Sequence, residues 1–375
     1  MNPETVNGQP SFRIESDLVT AWVTELGGQL APVTFHLPGG HVEPFSVAPW
    51  AEEDVDVPPI LKALRGDFFC LPFGGNEESY CGESHPVHGE TANLKWKVQS
   101  HTDSAIVATM DTTIRRGHID KEVFVMPGQT AIYQRHTVSG MTGKMCLGHH
   151  AMVRFRSCGF VSLSPFGFGQ VFPGEFESPV QGGYSSLKPG ARFDDLRRVP
   201  SADGSLADLT TYPAREGFED LVMVFAALDS TFSWTAVHFP EEGYVWYSLK
   251  DPRVLAGTVL WHSNGGRHYS PWSGRHRGVL GLEEVTSSFH WGLAGSVRKS
   301  EAAVEGYRTY FDLDRSPPLV VNTIMGVAPS ETLSGVITNI EKINGGIRIS
   351  DAKGGEISVE IDTDHLYGSL RPFGL

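Results

Sequence analysis

"LVMVFAALDSTFSWTAVHFPEEGYVWYSLKDPRVLAGTVLWHS" runs from Leu221 to Ser263 and decides the fold class. It holds four apolar segments, LVMVFAAL, FSWTAVHF, YVWYSL and GTVLWHS, rich in β-branched and aromatic residues. Such side chains fit a pleated surface, while Asp, Pro and Gly in the short linkers turn the chain. Segments of this length at this spacing predict antiparallel strands packed as a sandwich.

The same texture extends toward the N-terminus. "LVTAWVTEL" (Leu18–Leu26) ends at Gly27-Gly28, and "KWKVQSH", "SAIVATMDTTIR" and "KEVFVM" follow with strand-like alternation. The chain carries 42 glycines and 24 prolines in 375 residues, above the average usage of about 7% and 5%. Many turns, and so many short strands, are expected. Helix signals are sparse. "ADLTTYPAREG" has room for one turn, and "GSVRKSEAAVEGYRTYF" (Gly295–Phe311), with Ser296 as its cap, is the best helical segment. After Ser316-Pro317-Pro318 the tail reads VITNIEKI, IRIS and EISVEI separated by Gly-Gly turns, a β-meander. The expected division is a β-sandwich over residues 1–315 and a C-terminal meander extension over 316–375, docked on the main domain.

The formal net charge of −14 repels nucleic acid and anionic membranes, so neither is expected as a partner. No apolar run reaches membrane-spanning length and "MNPETVNGQP" has no leader character, so a cytoplasmic protein is expected. Cys70, Cys81, Cys146 and Cys158 form no C-x-x-C pair and read as free thiols in a reducing compartment; a Cys70–Cys81 bridge is the alternative in an exported protein.

Four stretches carry chemistry. "LRGDFFCLPFGGN" (Leu64–Asn76) offers Arg65, suited to a hydroxyl pair, carboxylate or phosphate, against the plain reading of a solvated Arg65/Asp67 pair. "HPVHGETANLKW" (His85–Trp96) places His85 and His88 three apart, but only Glu90 is near as a further ligand, so no metal is expected. The spacing does not match a cupin either. In "CLGHHAMVRF" (Cys146–Phe155) adjacent histidines on a strand face opposite sides; one is a candidate general acid, or else a partnered core residue. In "GRHRGVLGLEEVTSSF" (Gly274–Phe289) alternation sends one of Glu283 and Glu284 to each face. A carboxylate buried in an apolar strand is costly unless partnered, so the inward one is a candidate for function. The plain reading is an edge strand with both carboxylates wet.

These motifs, taken in order, resemble the aldose 1-epimerase (galactose mutarotase-like) superfamily across roughly residues 12 to 295. "VTAWVTELGGQLAPVTF" resembles its opening strands. "LRGDFFCLPFGGN" and "HPVHGETANLKW" are similar to the hexose-6-phosphate 1-epimerase stretch running from an Arg-Gly-Gly through Pro and Phe to His-Gly and Trp. "GHHAMV" resembles the family's acid-histidine strand and "GLEEVTS" its late Leu-Glu-Pro segment. The resemblance implies an all-β antiparallel supersandwich and a cofactor-free epimerase that interconverts the anomers of an aldose or aldose derivative. It implies His150 as general acid, Glu283 as general base, His88 and Arg65 holding the sugar, and Asp220 orienting it. Trp96 would pack beneath or beside His88. Met152 and Val153 depart from the family's aromatic pair, Glu90 from its Phe and Glu284 from its Pro. The expected partner is a small-molecule sugar, with the protein a monomer or homodimer. A non-catalytic carbohydrate-binding or regulatory protein, or a glycosidase or lyase built on paired carboxylates, are the alternatives.

Overall fold

The computed structural model describes residues 2–298 and 300–368. The Leu221–Ser263 stretch forms the expected strands, Phe218–Ala226, Ser233–Phe239, Tyr244–Lys250 and Gly257–Asn264. They do not lie in one sheet. Ser233–Phe239 and Tyr244–Lys250 pair as a hairpin (Phe239↔Tyr244), closed where Gly243 takes a positive φ of 75° and donates to the Phe239 carbonyl at 2.9 Å. That hairpin lies in a nine-stranded sheet, while Phe218–Ala226 and Gly257–Asn264 pair in a seven-stranded one. The two sheets stack face to face, and every ladder between named strands is antiparallel.

Alternation assigns the faces. Val222, Val224, Leu260, Leu280 and Leu282 of the seven-stranded sheet share one core with Val237, Trp246, Met325 and Val327 of the nine-stranded sheet. Leu221, Met223, Val259, Trp261 and Val285 point the other way, into a second cluster capped by loops that carry Phe68, Phe73 and Trp272. Both faces of these strands are buried, which is why they read as continuous apolar runs. A five-stranded sheet, from Glu4–Val6 to Gly40–Val42, joins the first core through Phe12, Ile14 and Val33.

The tail differs from the expected division. Leu319–Pro329, beyond the 315/316 boundary, pairs with Ala131–Ser139 on one side and Tyr244–Lys250 on the other. The main sheet therefore crosses that boundary, and the meander proper is Ile337–Ile343, Gly346–Asp351 and Glu356–Glu360. The meander is docked. Ile337, Ile340, Ile347 and Ile349 share a cluster with Phe124, Trp234, Tyr247 and Ile324 on the outer face of the nine-stranded sheet.

The helix expectations shift as well. The segment near Gly295 forms two short helices, Gly292–Val297 and Glu301–Val304. Ser300 caps the second, its hydroxyl accepting from Ala303 N at 3.2 Å. Ser296 is inside the first and accepts from Ser288 N at 2.9 Å. "ADLTTYPAREG" forms strand pieces, Leu206–Ala207 and Thr211–Tyr212, because Tyr212 is drawn into the core and donates to the Ser263 and Val279 carbonyls. Among the described residues no helix is long and apolar enough to cross a membrane. All four cysteines are free, Cys70 and Cys146 buried, Cys81 and Cys158 exposed.

Candidate active site

Val279–Thr286 is a central strand of the seven-stranded sheet, and alternation splits its two glutamates. Glu284 faces the space between the sheets. It is 0% exposed, pairs with Lys250, and accepts from Thr235 Oγ1 at 2.8 Å and Thr258 Oγ1 at 2.7 Å. Glu283 faces outward into the loop-covered layer, yet it too is buried. This is no wet edge strand.

The histidine pair divides the same way. His149 turns into the core, where its Nδ1 meets Asp67 Oδ2 at 2.8 Å. His150, between the strands Leu147–His149 and Ala151–Arg154, turns outward, and its Nε2 lies 3.3 Å from Glu283 Oε1. The backbone fixes that position: His150 N donates to the Phe68 carbonyl at 2.9 Å, and the Phe68 ring stacks on the imidazole at 4.6 Å.

His88 completes the group from a different loop. It has a left-handed φ of 59° and precedes Gly89, where φ is 77°. A Cβ on Gly89 would meet the Leu71 carbonyl oxygen at 1.9 Å, so the His-Gly dipeptide is a packing requirement. Gly74 N–H donates to His88 Nδ1 at 3.3 Å, which leaves the ring proton on Nε2 as a donor. The His88 and His150 ring centroids are 4.9 Å apart.

These three residues line a cavity of ≈ 240 Å³ whose walls include Phe68, Phe176, Trp261, Trp272 and Tyr269. Among the described residues one Lys or Arg side chain, Arg267, lines it. Arg267 lies over Trp272 at 4.6 Å and ion-pairs with Glu177 at 2.5 Å. Behind Trp261, the buried Glu219 accepts from the indole N–H at 2.9 Å, from Ser263 Oγ at 3.0 Å and from Gly266 N at 3.1 Å. Burial pushes the Glu219 carboxyl up to about 7.

Burial also sets the proton inventory. It drives Glu283 well above the usual carboxylate range, with Arg267 opposing weakly, and drives His150 down to about 3. His88 is held well below its ordinary value by burial and by the neighbouring His150 and His290. Near neutral pH the His150–Glu283 pair therefore holds one proton, and the dry surroundings favour its uncharged arrangement with that proton on the carboxyl.

Three residues expected at the site lie elsewhere. The guanidinium of Arg65, fully buried, donates to the carbonyls of Ala63, Val6 and Asn7 and ties the N-terminal strand down. Neither the sugar role nor the solvated Arg65/Asp67 pair describes it. Asp220 faces away from the cavity and accepts from Ser186 N and Oγ, Leu187 N and Arg215 Nε. Trp96 packs beside Lys121 and His136 and donates to the Thr91 carbonyl at 3.0 Å. His85 turns to Glu83 at 3.0 Å, away from His88. Glu90 holds the backbone of Thr113 and Ile114. Arg267, Tyr269 and Trp272 escaped the motif reading. Their signal was "GGRHYSPW" (Gly265–Trp272), a Gly-rich loop dense in aromatic and cationic residues between two core strands.

No protein-family model and no curated protein matches the chain. Solved structures do. A candidate aldose 1-epimerase from Escherichia coli K12 superposes with a TM-score of 0.59 at 10% identity, covering 86% of this chain and all of that one. A galactose mutarotase related enzyme from Lactobacillus acidophilus gives 0.56 at 12%, covering 85% and 97%. A galactose mutarotase-like protein from Lactobacillus casei gives 0.55 at 11%, covering 85% and 100%. Identity this low speaks for architecture, and the chain has the all-β sandwich fold of the galactose mutarotase-like proteins.

Proposed function

We propose that the protein is an epimerase that interconverts the anomers of an aldose or aldose derivative, with His150 and Glu283 exchanging protons with the sugar. The observation that carries this reading is the 3.3 Å contact between two oppositely perturbed titratable groups on the floor of an aromatic cavity. Aromatic walls suit the apolar face of a sugar ring, and paired groups that share one proton suit acid/base chemistry on hydroxyls.

The reaction needs no net proton. One group takes the proton of the C1 hydroxyl while the other gives one to the ring oxygen. The C1–O5 bond breaks and C1 becomes a carbonyl. Rotation about C1–C2 presents the other face, and the reverse transfers close the ring. Transfer of the shared proton from Glu283 to His150 Nε2 arms His150 as the acid and Glu283 as the base. His88 Nε2–H donates to a sugar oxygen, and Trp261, held by Glu219, forms part of the platform.

The test is two-dimensional exchange NMR on a panel of aldoses, which reads α/β interconversion directly. His150→Asn and Glu283→Gln keep shape and remove proton transfer, and each should lower turnover by at least ~10²-fold. Full exchange activity in both variants refutes the acid/base pair. Sugar binding without exchange in the unmodified protein favours a non-catalytic binding protein instead.

A further inference from the structure

We infer that the cleft has a second sugar subsite, and that the preferred substrate is the reducing-end residue of a disaccharide or oligosaccharide instead of a free or phosphorylated monosaccharide. The inference rests on the epimerase reading of the inner cavity.

A second chamber of ≈ 480 Å³ adjoins the inner cavity, and the two share Phe176, Arg267, Tyr269 and His290 as walls. The inner space, at ≈ 240 Å³, is small for a ligand pocket, since such pockets run to about 300–1,000 Å³. It suits one ring. The outer chamber has about twice the volume of the inner one.

The chemistry fixes which end of a sugar enters. The reacting C1 and ring oxygen must lie against His150 and Glu283, which are 5% and 3% exposed on the cavity floor. The opposite edge of a pyranose, C3 and C4, then faces the mouth. A substituent on that edge projects into the outer chamber, whereas a substituent on C1 has nowhere to go.

The outer chamber is furnished for such a substituent. Trp291, 38% exposed, lines it and packs on Phe172 with ring centroids 4.4 Å apart. Tyr269 at the shared wall is 36% exposed. Bare aromatic faces at the mouth of a cleft mark binding surface. Among the described residues the side chains of Glu77, Glu175 and Gln181 line the same chamber with no hydrogen-bond partner, free to accept from hydroxyls. Among the described residues its cations are already matched, Arg267 to Glu177 and Arg298 to Glu78. Glu77 and Glu175 therefore leave an uncompensated negative charge, which disfavours a phosphate there.

The experiment compares kcat/KM for anomeric exchange of D-glucose, D-galactose, maltose, lactose and D-glucose 6-phosphate. At least one of the 4-linked disaccharides should exceed its monosaccharide by tenfold or more, and the phosphate should fall below glucose. Trp291→Ala should abolish the disaccharide advantage and leave monosaccharide exchange unchanged; Glu175→Lys, on an exposed residue, repeats the test without touching the aromatic packing and should reduce the advantage. Equal kcat/KM for mono- and disaccharides, or an advantage untouched by both variants, overturns the subsite while leaving the epimerase reading intact. If no sugar exchanges, the epimerase reading fails, and saturation-transfer NMR then decides the subsite. Saturation of the maltose or lactose non-reducing ring that is lost in Trp291→Ala upholds it, and saturation confined to the reducing ring, or none, overturns it.

Discussion

The Lys250–Glu284 pair lies between the two sheets, with Lys250 1% and Glu284 0% exposed. Glu284 accepts from Lys250, Thr235 and Thr258; Lys250 Nζ also donates to the Gly257 carbonyl at 2.6 Å and to Thr258 Oγ1 at 2.8 Å. Burial pulls the ammonium below its ordinary value, and the attraction of Glu284 opposes this. Lys250→Met leaves a carboxylate in a dry core with two hydroxyl donors and no cation. Breaking a buried pair from one side costs about 3–5 kcal/mol. Glu284→Gln leaves the ammonium with only neutral acceptors, and the lysine lowers that penalty by losing its proton, so its cost should fall at the lower end of the same range. Replacing both by apolar residues of similar volume removes both uncompensated charges. The double variant Lys250→Met/Glu284→Leu should therefore recover more than half of the Lys250→Met loss. Urea denaturation followed by tryptophan fluorescence measures all three. Strictly additive losses, or single changes costing under about 1 kcal/mol, would refute the buried-pair reasoning.

Other outcomes follow from the same structure. Glu219 is held at about 7 in the fold against an ordinary 4.5. The native state then keeps a proton that the unfolded chain has released, so this group's contribution is fully present below pH 4.5 and is lost as pH rises to about 7. It amounts to on the order of 3 kcal/mol. Across that window the wild type should lose stability relative to Glu219→Gln; a difference between the two that is flat with pH sinks the assignment. Arg65→Ala strips the buried Ala63 carbonyl and the half-buried Val6 and Asn7 carbonyls of their donor and should cost roughly 2 kcal/mol or more, whereas a loss of sugar binding with unchanged stability would restore Arg65 to the site. Deleting residues 331–375 uncovers Phe124, Trp234 and Tyr247 on the outer sheet face. It should lower the melting temperature of the remaining domain and promote aggregation, and an unchanged melting curve would show that the meander is not part of the folding unit.

Much of this was legible in the chain itself. The β-branched and aromatic runs between Asp, Pro and Gly turns specify the strands, because the period of two is a local property of the backbone. The same period requires that His149 and His150, and Glu283 and Glu284, face opposite sides. Which member faces the cavity is a matter of register, and register is set by the partners on the neighbouring sheet. Glu284 goes to the core because Lys250, Thr235 and Thr258 are there to meet it, and His149 because Asp67 is. Polar residues outside the alternation were harder to place. Arg65 and Asp220 have the chemistry of sugar ligands, but distant backbone groups, at Val6 and Asn7 for one and at Ser186 and Leu187 for the other, take up their hydrogen bonds. The aromatic and cationic walls from Phe176, Arg267 and Trp272 come from loops whose paths depend on the packed sheets beneath them. The sequence by itself determined the strands and the two-sided choices. Only the tertiary structure decided between the sides, because each buried polar group goes where its partner is, and those partners lie up to many tens of residues away along the chain.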